Sequence, residues 1–387
     1  MKHPSKVIAM VQLPPPMHGA AKMNLHAIKA LSKQFDLHVI EMNFARDFSD
    51  LEKPSVRKVL RTLRLLIRLV VALPRAHALY ICFAPAGGAY FRDSVYVLIA
   101  KLFRVPVVIH LHGCGLPRMR QSRLPVAFQK AVFANQSVIL LGGSLRPELD
   151  GLDCSSSIIP NCLDHASFAD PPTSDWVPSQ QVRLLWLSNL FRAKGIETLI
   201  AACQKLRERD FDFELTIAGA EGDICATRLI ELFAHYEVMD AARYIGPVDD
   251  NGKANALSNA NLFVFPSHYA NEAQPLVVLE AMAAGVPVIS SDIATLPEFV
   301  RDGETGFLCP PQNPTALADA IIRATQHPDK TTRMRNAAYE FCKAHFNQDR
   351  FATQITSLMR EVIESDAQDR SQSIITRLKS GERPNGS

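Results

Sequence analysis

Apolar positions along the chain gather in short continuous runs, separated by longer segments in which they recur every three to four residues. Runs of four to eight apolar residues bounded by polar or turn residues mark buried strands, and the helical period between them marks helices. This pattern predicts strands at 6–12, 37–41, 78–83, 106–111 and 137–141, with a further one at 156–160. A second series follows at 182–188, 213–219, 242–246, 261–265 and 287–290. Strands that alternate with helices make parallel sheets covered on both faces, so the fold class is α/β with doubly wound sheets. The Pro- and Asp-containing stretch Asp164 to Gln180 separates the two series and reads as a linker. The expected units are an N-terminal domain over 1–165 and a second domain over 166–346, followed by a last helix over about 347–365 after Asn347-Gln348-Asp349. Residues 366–387, rich in Ser, Arg, Gly and Asn, read as a mobile tail.

Composition refines this picture. A chain of 387 residues with 47% hydrophobic and 21% charged residues can bury two cores of domain size. Its eight cysteines form no C-x-x-C pair, which argues against a zinc site and a disulfide framework and for reduced thiols. The first apolar run, Val7 to Val11, is too short for the central region of a secretory leader, so the expected location is the cytoplasm. Residues 1–165 hold 21 Lys and Arg against 10 Asp and Glu, whereas residues 166–387 hold 21 against 29. The basic first half therefore faces an anionic partner, either nucleic acid or an acidic membrane surface.

Between Pro54 and Pro74 the distribution separates these two. Arg57, Arg61, Arg64 and Arg68 align in one stripe of a helix, with Val59, Leu63, Leu66, Ile67 and Val70 largely opposite. Aliphatic rather than base-stacking residues back the stripe, which disfavours nucleic acid and points to peripheral contact with an anionic inner-leaflet surface. An ordinary domain helix with solvated arginines carries the same pattern. Arg68 interrupts an apolar run already shorter than the roughly 20 residues of a membrane span.

Candidate chemistry concentrates in Asn271-Glu272-Ala273-Gln274-Pro275-Leu276 and the periodic segment that follows, which Gly285 stops. Pro275 suits the first turn of a helix, leaving Glu272 in the loop and Glu280 roughly 7 Å along the axis. An anion at that helix start would meet free N–H groups and the positive end of the dipole, with a carboxylate on each side to accept from hydroxyls. The first strand leads through Pro14-Pro15-Pro16-Met17-His18 to Gly19-Ala20, small residues that let backbone approach a ligand at a second helix start, predicted near Lys22. No G-x-G-x-x-G is present, which excludes a dinucleotide fingerprint at this turn. His110 and His112 stand at the carboxyl end of a strand, where open α/β sheets face their crevice, and two residues apart they point to the same face.

Phe265-Pro266-Ser267, Asn271-Glu272, Pro275-Leu276, Leu279-Glu280-Ala281-Met282-Ala283, Gly285-Val286-Pro287-Val288, Pro297-Glu298, Asp302-Gly303 and Gly306-Phe307-Leu308 together resemble the signature of the retaining family 4 glycosyltransferases. The likeness runs from about residue 7 to about residue 365 and is strongest in the second half. It implies the GT-B fold, two Rossmann-like domains facing a central crevice, with the last helix crossing back to the first domain. It also implies transfer of a sugar from a UDP- or GDP-sugar donor without metal or other cofactor. The acceptor would be a polyprenyl-diphosphate-linked sugar or a lipopolysaccharide-type glycan, as in cell-surface polysaccharide assembly (exopolysaccharide, O-antigen or lipopolysaccharide).

Residue by residue, the resemblance implies His112 and Glu272 as the groups that hold the transferred sugar, and Glu280 as the ribose ligand. Donor phosphate would meet Gly19, Lys194 and the opening formed by Ala273, Gln274, Pro275 and Leu276. The family commonly has Gly-Arg where this chain has Ser188-Asn189, so neutralisation falls mainly to Lys194, with Arg192 as a substitute cation. Backbone near Val248 would read the base edge, and Lys253 is either a nucleotide contact or a surface lysine. Asn189 also motivates a non-transferring nucleotide-sugar binding or assembly protein, and a GT-B nucleotide-sugar epimerase is the third reading.

Overall fold

The computed structural model describes residues 4–15, 19–42, 56–120, 126–168 and 175–379. Its first sheet is built from β1 (Lys6–Val11), β2 (Asp36–Glu41), β3 (Ala78–Phe83), β4 (Val107–Leu111), β5 (Gln136–Leu140) and β6 (Cys154–Ile158). They lie in the order β2-β1-β3-β4-β5-β6, all parallel. The second sheet comprises β7 (Val182–Leu187), β8 (Phe213–Ala218), β9 (Ala242–Tyr244), β10 (Leu262–Phe265), β11 (Val288–Ser291) and β12 (Phe307–Cys309). Its order, β12-β11-β10-β7-β8-β9, is parallel throughout. Two doubly wound sheets facing each other constitute the GT-B architecture.

Both topologies reverse direction at one point, between β1 and β3 in the first sheet and between β7 and β10 in the second. Loops leaving adjacent strands at such a reversal diverge to opposite faces and open a crevice at the carboxyl ends. The central strands are apolar on both faces, as in Ala78–Phe83, every residue of which is buried. One core cluster belongs to each sheet, and a third is continuous between them. That third cluster joins Met23 and Ala27 of the helix Gly19–Leu31, Leu276 and Leu279 of the helix Leu276–Ala283, and Phe351, Ile355 and Met359 of the last helix.

Four features differ from the sequence expectations. Strand β12 adds an edge strand to the second sheet that the apolar pattern does not predict. The helix expected near Lys22 already begins at Gly19, so Gly19 and Ala20 occupy its first turn and the methyl at position 20 is accommodated in right-handed backbone. The last helix runs Gln348–Lys379, past the expected stop at 365 and into the segment read as a mobile tail. Asn347 caps it through Arg350 N–H at 2.9 Å, and an Arg370–Asp366 pair one turn apart supports its polar continuation. Residues 380–387 lie outside the described residues.

The fourth difference concerns the arginine helix, Val56–Ala72. Leu65, Leu69 and the adjoining Leu73 bury against the first sheet, whereas Val59, Leu63 and Ile67 remain 68%, 52% and 57% exposed. Leu60 and Val71 extend the exposed apolar strip. At 100° per residue this strip lies directly across the helix from the buried one, with Arg61, Arg64 and Arg68 along its edge. The apolar arc opposite the arginines is thus mostly solvent-facing, because two leucines four apart suffice to dock the helix. No helix among the described residues is long and apolar enough to cross a membrane.

Candidate functional site

Lys194 and Glu272 meet at the reversal point of the second sheet. After β7 the chain turns through Arg192–Lys194 into Gly195, whose φ of +85° is left-handed and whose missing side chain leaves room for the Pro266 carbonyl. A Cβ there would stand 1.9 Å from that oxygen, so only glycine lets this turn lie against the end of β10. The turn is held by His268 N–H donating to Ala193 O at 2.8 Å. Lys194 Nζ then donates to Glu272 Oε2 at 2.7 Å, and Ser267 Oγ donates to the same oxygen at 3.2 Å. The ammonium also stands 4.7 Å from the Tyr269 ring centroid, within cation–π range.

One turn into the helix Leu276–Ala283, Glu280 is 5% exposed and carries two cations on one oxygen. Lys253 Nζ is 2.7 Å and Lys22 Nζ 3.3 Å from Glu280 Oε1. Lys253 arrives on the helix Asp250–Asn259, which Asp249 caps by accepting from Gly252 N–H at 2.7 Å; Val248 packs partly buried just before it. Lys253 is therefore a crevice residue. Lys22 comes from the first domain, with 17% of its side chain exposed, and Asp164 lies 3.6 Å from its ammonium on the far side. Burial alone would lower the Lys22 pKa, but Glu280 and Asp164 outweigh it and hold the ammonium above its ordinary value.

Between these carboxylates the helix opens at Pro275, with φ of −72° and ψ of 116°, and no side chain caps it. Its uncapped start leaves backbone donors and the positive dipole end for an anion. Gly19 borders the same space, since a Cβ there would stand 3.6 Å from Leu276 Cδ1. The preceding loop residues are spent on fixing the loop. Gln274 Oε1 accepts from Asn161 N–H of the first domain at 2.7 Å, and Ala273 O accepts from Thr295 Oγ1 within the second domain at 2.6 Å. Cys114 Sγ donates to Glu272 O at 2.8 Å, and its thiol is pushed up to about 12 by burial and by the nearby Glu148 and Glu272 charges.

On the opposite wall the two histidines differ. His110 is fully buried within β4, its Nδ1 2.6 Å from Tyr80 Oη, and burial followed by the neighbouring His112 drives its pKa well below the usual value. His112 stands just beyond the strand end, half-buried, its ring centroid 3.9 Å from that of His110 and tilted 35° to it. A neutral core histidine thus supports the one at the crevice. Asn189 follows β7 and is half-buried, but Arg192 pairs with Glu197 on the following helix and is not brought to Glu272 or Glu280. Lys22, Asp164, Ser267 and Tyr269 complete the cluster. Of these, only Ser267 stands in a motif that the sequence singles out, Phe265-Pro266-Ser267. No group of His, Cys, Asp and Glu suited to a metal ion occurs among the described residues.

Residues 176–341 match the family model described as Glycosyl transferases group 1. Phosphatidyl-myo-inositol mannosyltransferase of Mycolicibacterium smegmatis is 29% identical over 242 residues, 56% of this chain and 61% of that protein. The amylovoran biosynthesis glycosyltransferase AmsK of Erwinia amylovora is 29% identical over 187 residues, 47% of this chain and 46% of AmsK. The chain thus spans about three fifths or less of the length of these curated relatives. Among solved structures, Anabaena HepE in complex with UDP and glucose superposes with a TM-score of 0.70 at 18% identity, covering 93% of this chain and 100% of HepE.

Proposed function

From the membership of residues 176–341 in the group 1 glycosyl transferases, on a chain with the GT-B fold, we propose that this protein is a retaining sugar transferase. It takes a sugar from a UDP- or GDP-linked donor to a polyprenyl-diphosphate-linked or lipopolysaccharide-type acceptor in cell-surface polysaccharide assembly. The observation that carries this reading is the pair of neutralised carboxylates flanking an uncapped helix start, Glu272 with Lys194 and Glu280 with Lys253 and Lys22. On donor binding the lysines turn toward phosphate while staying near the carboxylates, and the carboxylate oxygens so freed accept from sugar and ribose hydroxyls, so that every charged group keeps a hydrogen-bond partner. HepE's complex with UDP and glucose supports a nucleotide-sugar donor for this architecture.

In the reaction, bond breaking at the anomeric carbon leaves negative charge on the departing diphosphate. Lys194 and the helix opening stabilise that charge in place, as preorganised donors do, and supply the positive charge for a metal-independent reaction. Glu272 and His112 position the sugar. Retention follows either from front-face substitution, in which the acceptor oxygen bonds the anomeric carbon as the leaving phosphate oxygen takes its proton, or from a short-lived sugar–enzyme adduct that the acceptor oxygen then displaces, its proton passing to the departed phosphate. The exposed apolar strip and arginines of the helix Val56–Ala72 support delivery of acceptor at an anionic inner leaflet.

Binding measured across a panel of uridine and guanosine diphosphate sugars tests the donor assignment, and one of them should bind in the micromolar range. Nucleotide release that requires added lipid-linked acceptor establishes transfer and excludes epimerisation. The uncharged Asn189 favours a second reading, a binding protein without turnover, which tight donor binding and no release with any acceptor would select. Failure of every nucleotide to bind would refute both.

A further inference from the structure

We propose that Lys22 is a donor-phosphate ligand supplied by the first domain, standing in for the arginine that this chain lacks at position 189. The inference rests on the nucleotide-sugar reading above. Lys22 stands on the first helix, three residues after Gly19, and its ammonium reaches 3.3 Å from Glu280 Oε1 across the crevice. Glu280 Oε1 already accepts from Lys253 at 2.7 Å, so one carboxylate oxygen faces two ammonium groups. When a ribose hydroxyl takes that oxygen, both lysines lose their buried anion. Lys253 retains the exposed Asp250 at 3.4 Å, and Lys22 keeps only Asp164 at 3.6 Å, a partly exposed carboxylate that also pairs with His26 and Gln348.

For Lys22 the available space lies toward the start of its own helix and that of the helix beginning at Leu276. These two openings converge, as the 3.6 Å approach of a Gly19 Cβ to Leu276 Cδ1 indicates. A diphosphate there carries at least two negative charges. The second domain presents Lys194, uncharged Asn189 and, with its guanidinium engaged by Glu197, Arg192. One fixed cation for two or more charges is a shortfall, and Lys22 is the next cation in the cluster. An ammonium suits the task because its three donors need no planar, bidentate alignment. Its origin in the other domain also makes phosphate a bridge between the domains.

The competing role is a structural pin, with Lys22 holding Glu280 and Asp164 together whatever is bound. Calorimetry with UDP and GDP, and with UMP and GMP, separates the two. Lys22→Met should weaken the diphosphate that binds wild type by about tenfold, the effect of losing one charged hydrogen bond, and leave the corresponding monophosphate within about twofold. Lys22→Arg should stay within about threefold for both. Adding Asn189→Arg to Lys22→Met should recover most of the loss, which a pin does not permit. Equal weakening of mono- and diphosphate, an unchanged diphosphate affinity, or no recovery with Asn189→Arg each overturns the assignment. In parallel, Lys194→Ala reports on the underlying reading. If it weakens the diphosphate while Lys22→Met does not, only the Lys22 role falls; if wild type binds no nucleotide, the site reading falls and the Lys22 role with it.

Discussion

Glu280 Oε1 accepts from two lysines that lie 27 and 258 residues away in sequence, and Glu272 Oε2 accepts from Lys194 and Ser267. Both carboxylates are nearly buried, so each depends on its cations, and a buried charge left unpaired is strongly unfavourable. Glu272→Gln and Glu280→Gln keep shape but lose charge assistance to substrate hydroxyls, worth about 1–3 kcal/mol. Transfer should therefore fall about 5- to 150-fold in each variant with folding retained, and rates within twofold of wild type in both would refute their assigned roles. The residues themselves were legible in the sequence, because Glu272, Glu280 and Lys194 sit in motif spacing. Lys22 was not, since its partner lies on the other domain and periodicity reports only local neighbours. Arg192 illustrates the reverse error, where a plausible cation two positions from Lys194 is claimed by Glu197, five residues on at the adjoining helix.

At the scale of elements, strand existence was legible along the strand–helix rhythm, including the part-exposed β6 and the three-residue β9, and it failed at β12, an edge strand that follows directly on the turn bridged by Asp302 and Gly306. The arginine helix was legible as a helix but not in which of its apolar residues bury. A packed helix needs one stripe for the core, and here Leu65 and Leu69 supply it, leaving a second stripe of Val59, Leu63 and Ile67 in water. The groove of about 510 Å³ beside it is lined by Ile67, Arg68, Val71, Arg75, Lys6 and Asp36 among others, and continues the apolar surface with Arg68 and Arg75 at its wall while Lys6 pairs with Asp36 at 3.6 Å. If this surface rests on a leaflet, two separable terms act. Replacing Arg57, Arg61, Arg64 and Arg68 with Gln should abolish most binding to anionic vesicles at low salt, at roughly 1 kcal/mol per arginine, and added salt should reproduce that loss. Leu63→Ser with Ile67→Ser should weaken the binding that persists at high salt, because apolar burial is not screened. Co-sedimentation that is identical for wild type and both variants would reduce the helix to a solvated domain surface.

For the whole molecule, the proposed transfer requires that a crevice built by two domains can close on the donor and open to release nucleotide. The contacts across it cluster at loop tips. Glu298 accepts from Ser144 N–H at 2.7 Å and from Gly143 N–H at 3.1 Å, so a carboxylate of the second domain caps the short helical turn Gly143–Leu149 of the first. Gly142 makes this approach possible, since a Cβ there would stand 2.5 Å from Thr295 Cγ2 and 2.6 Å from Glu298 Oε1. Asn161 with Gln274, Cys114 with Glu272 O, Gln274 Nε2 with Leu141 O, Ser144 Oγ with Ala294 O and Lys22 with Glu280 are further links across the crevice. These polar links act beside the apolar cluster that is continuous between the domains, and together they set a balance that ligand binding at the crevice can tip. Glu298→Gln removes a charge from the principal latch, worth about 1.5–3 kcal/mol, and should shift the closed-to-open ratio by tenfold or more. Small-angle scattering should then show a larger radius of gyration for the variant than for wild type, with saturating nucleotide reducing the difference because phosphate ligands from both domains restore closure. Superimposable scattering curves without nucleotide would mean that the continuous core through Met23, Leu276 and Phe351 holds the domains shut without the latch.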